Sequence, residues 1–158
     1  MPFCRLVHFA VLAVALVSGT GTFAAPTMYG TYYDETPGVL NCNTGANFCR
    51  LYFSQLPSNK LVMARKLHCE ITTRSPLIQA RLEVAATSGG DALPRYVQLP
   101  IPPAITAQSN GYYYNSVEIE TQWLMGQSRF PLVEVVTYAF SSIFVDCTLI
   151  GELVDPVQ

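Results

Sequence analysis

The stretch NGYYYNSVEIETQW, residues 110–123, alternates apolar and polar side chains with a period of two. One side of this alternation takes Val117, Ile119, Thr121 and Trp123. The other side takes Glu118, Glu120 and Gln122. Successive side chains of a strand point to opposite faces, so this period indicates a strand with one buried face. The stretch therefore predicts a long, half-buried β-strand.

Similar alternation recurs along the chain after residue 47. The predicted strands are 48–55, 61–73, 77–86, 95–101, 110–123, 132–140 and 142–154. Most of the 11 prolines and 10 glycines lie between apolar runs, as expected of turns. No helical segment alternates with the strands. About seven strands with this spacing predict an all-β fold, an antiparallel β-sandwich. Its strand order would be immunoglobulin-like or jelly-roll.

The alternation also assigns side chains to faces. In 61–73 the inward set is Leu61, Met63, Leu67, Cys69 and Ile71, and Arg65 interrupts it. This interruption predicts a bulge or a strand start. In 77–86 the inward set is Ile78, Ala80, Leu82 and Val84. In the last strand the inward set includes Cys147 and Gly151. A glycine at position 151 suits close packing.

The N-terminus has the layout of a secretory signal peptide. Arg5 precedes an apolar run from Leu6 to Val17, and small residues follow up to Ala25. The run is well short of the roughly 20 residues that a membrane-spanning helix needs. We expect cleavage after Ala24 and a secreted or periplasmic product without a membrane span. The predicted organisation is a signal peptide (1–24), an irregular arm (25–47) and a β-sandwich domain (48–158).

Four cysteines follow the predicted cleavage site: Cys42, Cys49, Cys69 and Cys147. An even number in an exported chain indicates disulfides, and four cysteines allow three pairings. Cys42 and Cys49 bracket a short polar loop, while the other two lie in apolar runs. We therefore expect Cys42–Cys49 and Cys69–Cys147. The spacing matches no zinc motif, and neither a metal nor a cofactor is predicted.

His68 and Cys69 are neighbours and could suggest a catalytic dyad. On a strand, however, adjacent side chains point to opposite faces. A nucleophile and its base must lie within hydrogen-bond reach, which this placement prevents. We therefore interpret Cys69 as an inward disulfide cysteine and His68 as a surface residue.

Charged residues make up 13% of the chain, about half the usual share. The net charge is −2, and the chain has two lysines, Lys60 and Lys66. Nucleic acid binding needs a positive surface, so the composition argues against it.

The tyrosines of GYYYN extend the alternation of the 110–123 strand. By parity, Tyr112 and Tyr114 share the outward side with Glu118, Glu120 and Gln122. Aromatic faces beside polar groups suit sugar rings and protein partners. We predict these five residues as a candidate binding site for a glycan or a protein. The alternative is an ordinary strand surface, since tyrosine is a good strand former.

Glu118 and Glu120 could also be the paired carboxylates of a glycoside hydrolase. They lie on one strand, whereas such pairs usually come from different elements, and no catalytic residue is predicted. The sequence thus favours a non-catalytic binding module. One alternative is a structural subunit of an extracellular fibre or coat, with the arm 25–47 as a donor strand. The other alternative is a small glycoside-active enzyme.

Overall fold

The computed structural model describes residues 25–43, 45–103 and 107–156, and these ranges contain strands but no helix. The predicted signal peptide, 1–24, lies outside the described residues. The ten strands are β1 Thr27–Tyr29, β2 Tyr32–Glu35, β3 Leu40–Cys42, β4 Phe48–Tyr52, β5 Leu61–Thr73, β6 Leu77–Ala85, β7 Ala92–Gln98, β8 Tyr113–Met125, β9 Phe130–Thr137 and β10 Ile143–Val154.

The strands form two antiparallel sheets. The larger sheet has the order β1-β2-β10-β5-β8, and β3 pairs with β10 beside β2. The smaller sheet has the order β4-β9-β6-β7. The predicted all-β, sandwich-like class is confirmed, although the described residues form ten strands rather than about seven.

The additional strands lie in the segment 25–47, which was predicted to be irregular. β2 pairs with residues 149–152 of β10, and β3 pairs with residues 143–145 of the same strand. β1 pairs in turn with β2. Three- and four-residue strands carry little periodic signal, and here the long strand β10 provides the edge that orders β2 and β3.

The core lies between the two sheets. Fully buried side chains of the larger sheet include Leu67, Ile71, Val117, Val145 and Leu149. Those of the smaller sheet include Leu51, Ala80, Leu82, Val133 and Val135. The inner faces of both sheets are therefore apolar, as the alternation predicted for most strands.

Of the two alternatives predicted at Arg65, a bulge or a strand start, the structure has a bulge within β5. Register shifts occur beside Ala64 in the pairings with both β8 and β10. The shift reverses the parity of the strand, so Val62 and Ala64 are buried. The predicted inward placement of Leu61 and Met63 was wrong for this reason.

A second irregularity corrects the prediction for β6. The pairing of β6 with β9 shifts register between Leu77 and Gln79. Leu77 packs against the core, and Ile78 is 55% exposed rather than inward. From Ala80 onwards the predicted inward residues are buried.

Both predicted disulfides are confirmed. Cys69 and Cys147 lie directly opposite each other on the neighbouring strands β5 and β10. Cys42 ends β3 of the larger sheet and Cys49 lies in β4 of the smaller one, so their bond links the two sheets. Two disulfides indicate an oxidising compartment.

Among the described residues, no helix has the length and apolar character to cross a membrane.

Candidate functional site

The predicted binding residues lie on or next to β8, the last strand of the larger sheet. In the described part of the chain β8 pairs with β5 alone, so its other edge is open. Tyr114 is 43% exposed, and the other exposed side chains of the strand are Ser116, Glu118, Glu120 and Gln122. The buried residues Asn115 and Val117 alternate with this row.

Tyr112 differs from the other four residues. It precedes β8 and is only half-buried. The Arg74 guanidinium lies 4.7 Å from the centre of the Tyr112 ring, so it covers one face of that ring. The rings of Tyr112 and Tyr114 are 6.4 Å apart and tilted by 48°. The Asn110 side-chain amide donates to the Tyr114 hydroxyl at 2.9 Å, which orients the second ring.

Charged side chains of β5 contact the outward row of β8. Lys66 Nζ lies 2.8 Å from Glu118 Oε1. Lys66 is directly opposite Glu120 across the strands, so Glu118 is its diagonal neighbour on the same face. His68 Nε2 lies 3.1 Å from Glu70 Oε1, and Ser116 Oγ donates to the same oxygen at 2.7 Å. His68 Nδ1 is 3.6 Å from Glu118 Oε2, which is too long for a hydrogen bond.

This network sets the ionisation of Glu118. The hydrogen bond from Lys66 is the largest effect and lowers the pKa of the Glu118 carboxyl. Desolvation opposes it, and the charges of Lys66 and His68 lower the pKa further. Glu118 is therefore held as an anion. A glycosidase acid needs the opposite shift, a raised pKa.

A shallow, open depression lies beside the bulge. It has a volume of about 580 Å³ and is lined by Arg65, Lys66, Glu120, Thr121 and Gln122. Arg65 also forms an ion pair of 2.7 Å with Glu152 of β10. Positively and negatively charged side chains therefore lie close together beside the bulge, next to Glu120 and Gln122 of β8.

His68 and Cys69 lie on opposite faces, as predicted. Cys69 is fully buried in its disulfide, whereas His68 is on the outer face with Glu70 and Glu118. The two side chains therefore form no dyad. Within the described ranges, no group of three or more His, Cys, Asp or Glu could hold a metal ion.

The structure also contains a cleft that no sequence pattern predicts. It has a volume of about 310 Å³ between the segment 37–40, β4 and the start of β9. Its apolar lining is Pro37, Val39, Leu40, Leu51, Phe53 and Phe130. Its polar lining includes Glu35, Arg50 and Tyr52. No sequence pattern joins these residues, which come from separate segments.

Glu35 is 2% exposed and lines this cleft. The Tyr33 hydroxyl donates to its Oε2 atom at 2.7 Å, and the Ser54 backbone N–H donates to its Oε1 atom at 2.7 Å. Burial and the hydrogen bond to Glu35 raise the pKa of Tyr33 well above its ordinary value, so Tyr33 stays a neutral donor.

Comparison with known proteins assigns no family. No protein-family profile matches the sequence, and no curated protein matches it. Among solved structures, the chain is similar to dimeric latent PorU from Porphyromonas gingivalis, with a TM-score of 0.36 and 11% identity. The similarity covers 88% of this chain and 14% of that one, and a TM-score this low supports no conclusion about function.

Proposed function

We propose that the protein is an exported, non-catalytic binding module that recognises an extended protein segment at β8. Its binding surface, the β8 face, comprises Tyr112, Tyr114, Glu118, Glu120 and Gln122. The observation that supports this proposal is the position of β8. A 13-residue strand at an open sheet edge carries an exposed row of aromatic and polar side chains.

An open edge strand provides unpaired backbone groups to which a partner can add a strand. Backbone hydrogen bonds then supply affinity, and the side chains of the outward row supply selectivity. Glu120 has no cation within ion-pair distance among the described residues, whereas Glu118 is paired with Lys66. We therefore expect a partner segment with a basic residue opposite Glu120.

Export through a cleaved signal peptide, to the periplasm or the cell exterior, completes the proposal. It rests on the charge and apolar pattern of 1–24, and the two disulfides fit an oxidising destination.

The two alternatives have less support. The segment 25–47, which a fibre subunit would donate to a neighbour, contributes β2 and β3 to pairs with β10 of its own chain. A glycoside hydrolase would need a carboxylic acid with a raised pKa, and Lys66 lowers the pKa of Glu118.

Hydrogen exchange tests the proposal after a displayed library of random peptides has supplied a ligand. Amides on the open edge of β8 should exchange rapidly in the free protein, and they occur at every second residue. Bound peptide should slow exchange at these alternate positions by more than tenfold. A ligand that leaves the β8 amides unprotected would contradict strand addition.

A matched pair of variants locates the contact. Tyr112→Ala with Tyr114→Ala should weaken peptide binding roughly thirtyfold, since each of the two lost aromatic contacts is worth on the order of 1 kcal/mol. Tyr29→Ala with Tyr32→Ala removes two exposed tyrosines from β1 and β2, at the opposite end of the larger sheet, and should leave binding unchanged. Equal losses in both variants would refute a site at β8. Weakened binding of a sugar on a glycan array, without amide protection, would identify a glycan site instead.

A further inference from the structure

The cleft beside Glu35 is separate from the β8 face and combines an apolar lining with a buried carboxylate. β2 places Glu35 there, because Glu35 pairs with the inward-facing Leu149 of β10. The apolar lining includes Phe53 from the segment after β4 and Phe130 from the start of β9. Its volume of about 310 Å³ is at the lower end of the range for small-molecule sites.

The charge of Glu35 has no cationic partner among the described residues. Both of its oxygens accept hydrogen bonds, from Tyr33 and Ser54, which is an arrangement suited to the ionised form. These two donors are neutral. Buried charges are ordinarily paired with an opposite charge, and here that charge is missing.

Arg50 also lines the cleft, but its guanidinium is already engaged. Arg50 Nε donates to Glu134 Oε2 at 2.7 Å, and its Nη1 atom donates to Asp91 Oδ1 at 3.2 Å. Together these two carboxylates outweigh the charge of Arg50. The charge of Arg50 is therefore already offset, and the carboxylate of Glu35 is the charge in the cleft lining that lacks a counter-ion.

We propose that this cleft is a binding site for a small organic cation, a primary ammonium carried on a compact apolar body. The apolar body packs against Phe53, Phe130 and Val39. The ammonium approaches Glu35, whose carboxylate retains acceptor capacity beyond its two hydrogen bonds. A charged hydrogen bond of this kind is about twice as strong as a neutral one, so the charge of the ligand should dominate selectivity.

The test compares 2-phenylethylammonium with 2-phenylethanol, which has the same apolar body without the charge. NMR titration of the full protein should show the cation binding at least tenfold more tightly, with shifts at Leu51 and Phe53. In Glu35→Gln, the amide oxygen can still accept from the Ser54 N–H while the amide NH2 donates to the Tyr33 hydroxyl oxygen, and the charge is lost. The two ligands should then bind with about equal affinity. Equal affinities in the wild type, shifts confined to other residues, or no binding of the cation would overturn the proposal.

A second variant tests the site without changing a buried residue. Val39 lines the cleft and is 68% exposed, so Val39→Lys adds a competing ammonium at its rim with little expected effect on folding. It should weaken binding of the cation more than binding of the alcohol. Ile78→Lys adds the same charge at an exposed position of β6 and serves as the control. An equal effect of both lysines would point to general charge repulsion and overturn the assignment.

Discussion

At the scale of single residues, the described structure has two buried glutamates, Glu35 and Glu83, in different surroundings. Both oxygens of Glu35 accept hydrogen bonds. Glu83 is 5% exposed, its Oε2 atom has no partner in the described structure, and Arg81 is 3.8 Å from its other oxygen. Burial raises the pKa of Glu83, and the charge of Glu134 raises it further against the opposing charges of Arg81 and Arg50. The charged form of Glu83 therefore destabilises the fold.

Glu83→Gln should stabilise the protein at neutral pH by about 1 kcal/mol, because it removes an incompletely paired buried charge. A raised pKa in the folded state means that the destabilisation is present above that pKa and disappears below the ordinary value of 4.5. Urea unfolding at pH 7 should show the gain, and unfolding at a pH well below 4.5 should not.

Glu120→Gln is the control for this prediction, since Glu120 lies exposed on β8 and should change stability by less than about 0.5 kcal/mol. A gain for Glu83→Gln that persists at acid pH would contradict the ionisation argument.

At the scale of elements, the bulge in β5 depends on a glycine in β10. The β5–β10 register shifts between Ile150 and Gly151. A Cβ atom on Gly151 would lie 2.7 Å from the Met63 carbonyl oxygen and 3.1 Å from Val62 Cγ1. The carbonyl belongs to the backbone and cannot rotate away, so the bulge and the glycine require each other.

Gly151→Ala should therefore cost about 2 kcal/mol of unfolding free energy through overpacking at the bulge. Gly45→Ala is the matched control, because a Cβ atom there meets nothing within 4 Å. Chemical denaturation of both variants measures the difference. A similar effect at the two positions would show that the close approach to Met63 relaxes without cost.

At the scale of the whole molecule, the two disulfides have different structural effects. Cys69–Cys147 joins two strands that already pair within the larger sheet, and it links positions 78 residues apart. Cys42–Cys49 spans a separation of 7 residues but connects one sheet to the other. The first bond constrains the unfolded chain far more strongly than the second.

Replacing Cys69 and Cys147 together by alanine should cost about 4 kcal/mol in the chain-entropy account, against about 2 kcal/mol for the pair Cys42 and Cys49. Urea unfolding of both double variants without reductant tests this order. Each double variant also loses sulfur atoms from the interior, so the comparison isolates loop length to first order. A larger loss for Cys42 and Cys49 would mean that linking the sheets matters more than loop length.

The sequence by itself determined the all-β class, both disulfides, an irregularity at Arg65 and the outward placement of Tyr114, Glu118, Glu120 and Gln122. These features follow from local alternation and from the chemistry of cysteine. Their use as a binding site stays a prediction.

Only the tertiary structure decided the rest, because it depends on contacts between distant segments. β2 and β3 are ordered by pairing with β10, and the bulge decides that Val62, rather than Met63, is inward. Ile78 is exposed because of a register shift against β9. The cleft beside Glu35 forms where separate segments meet, and no local pattern encodes such a meeting.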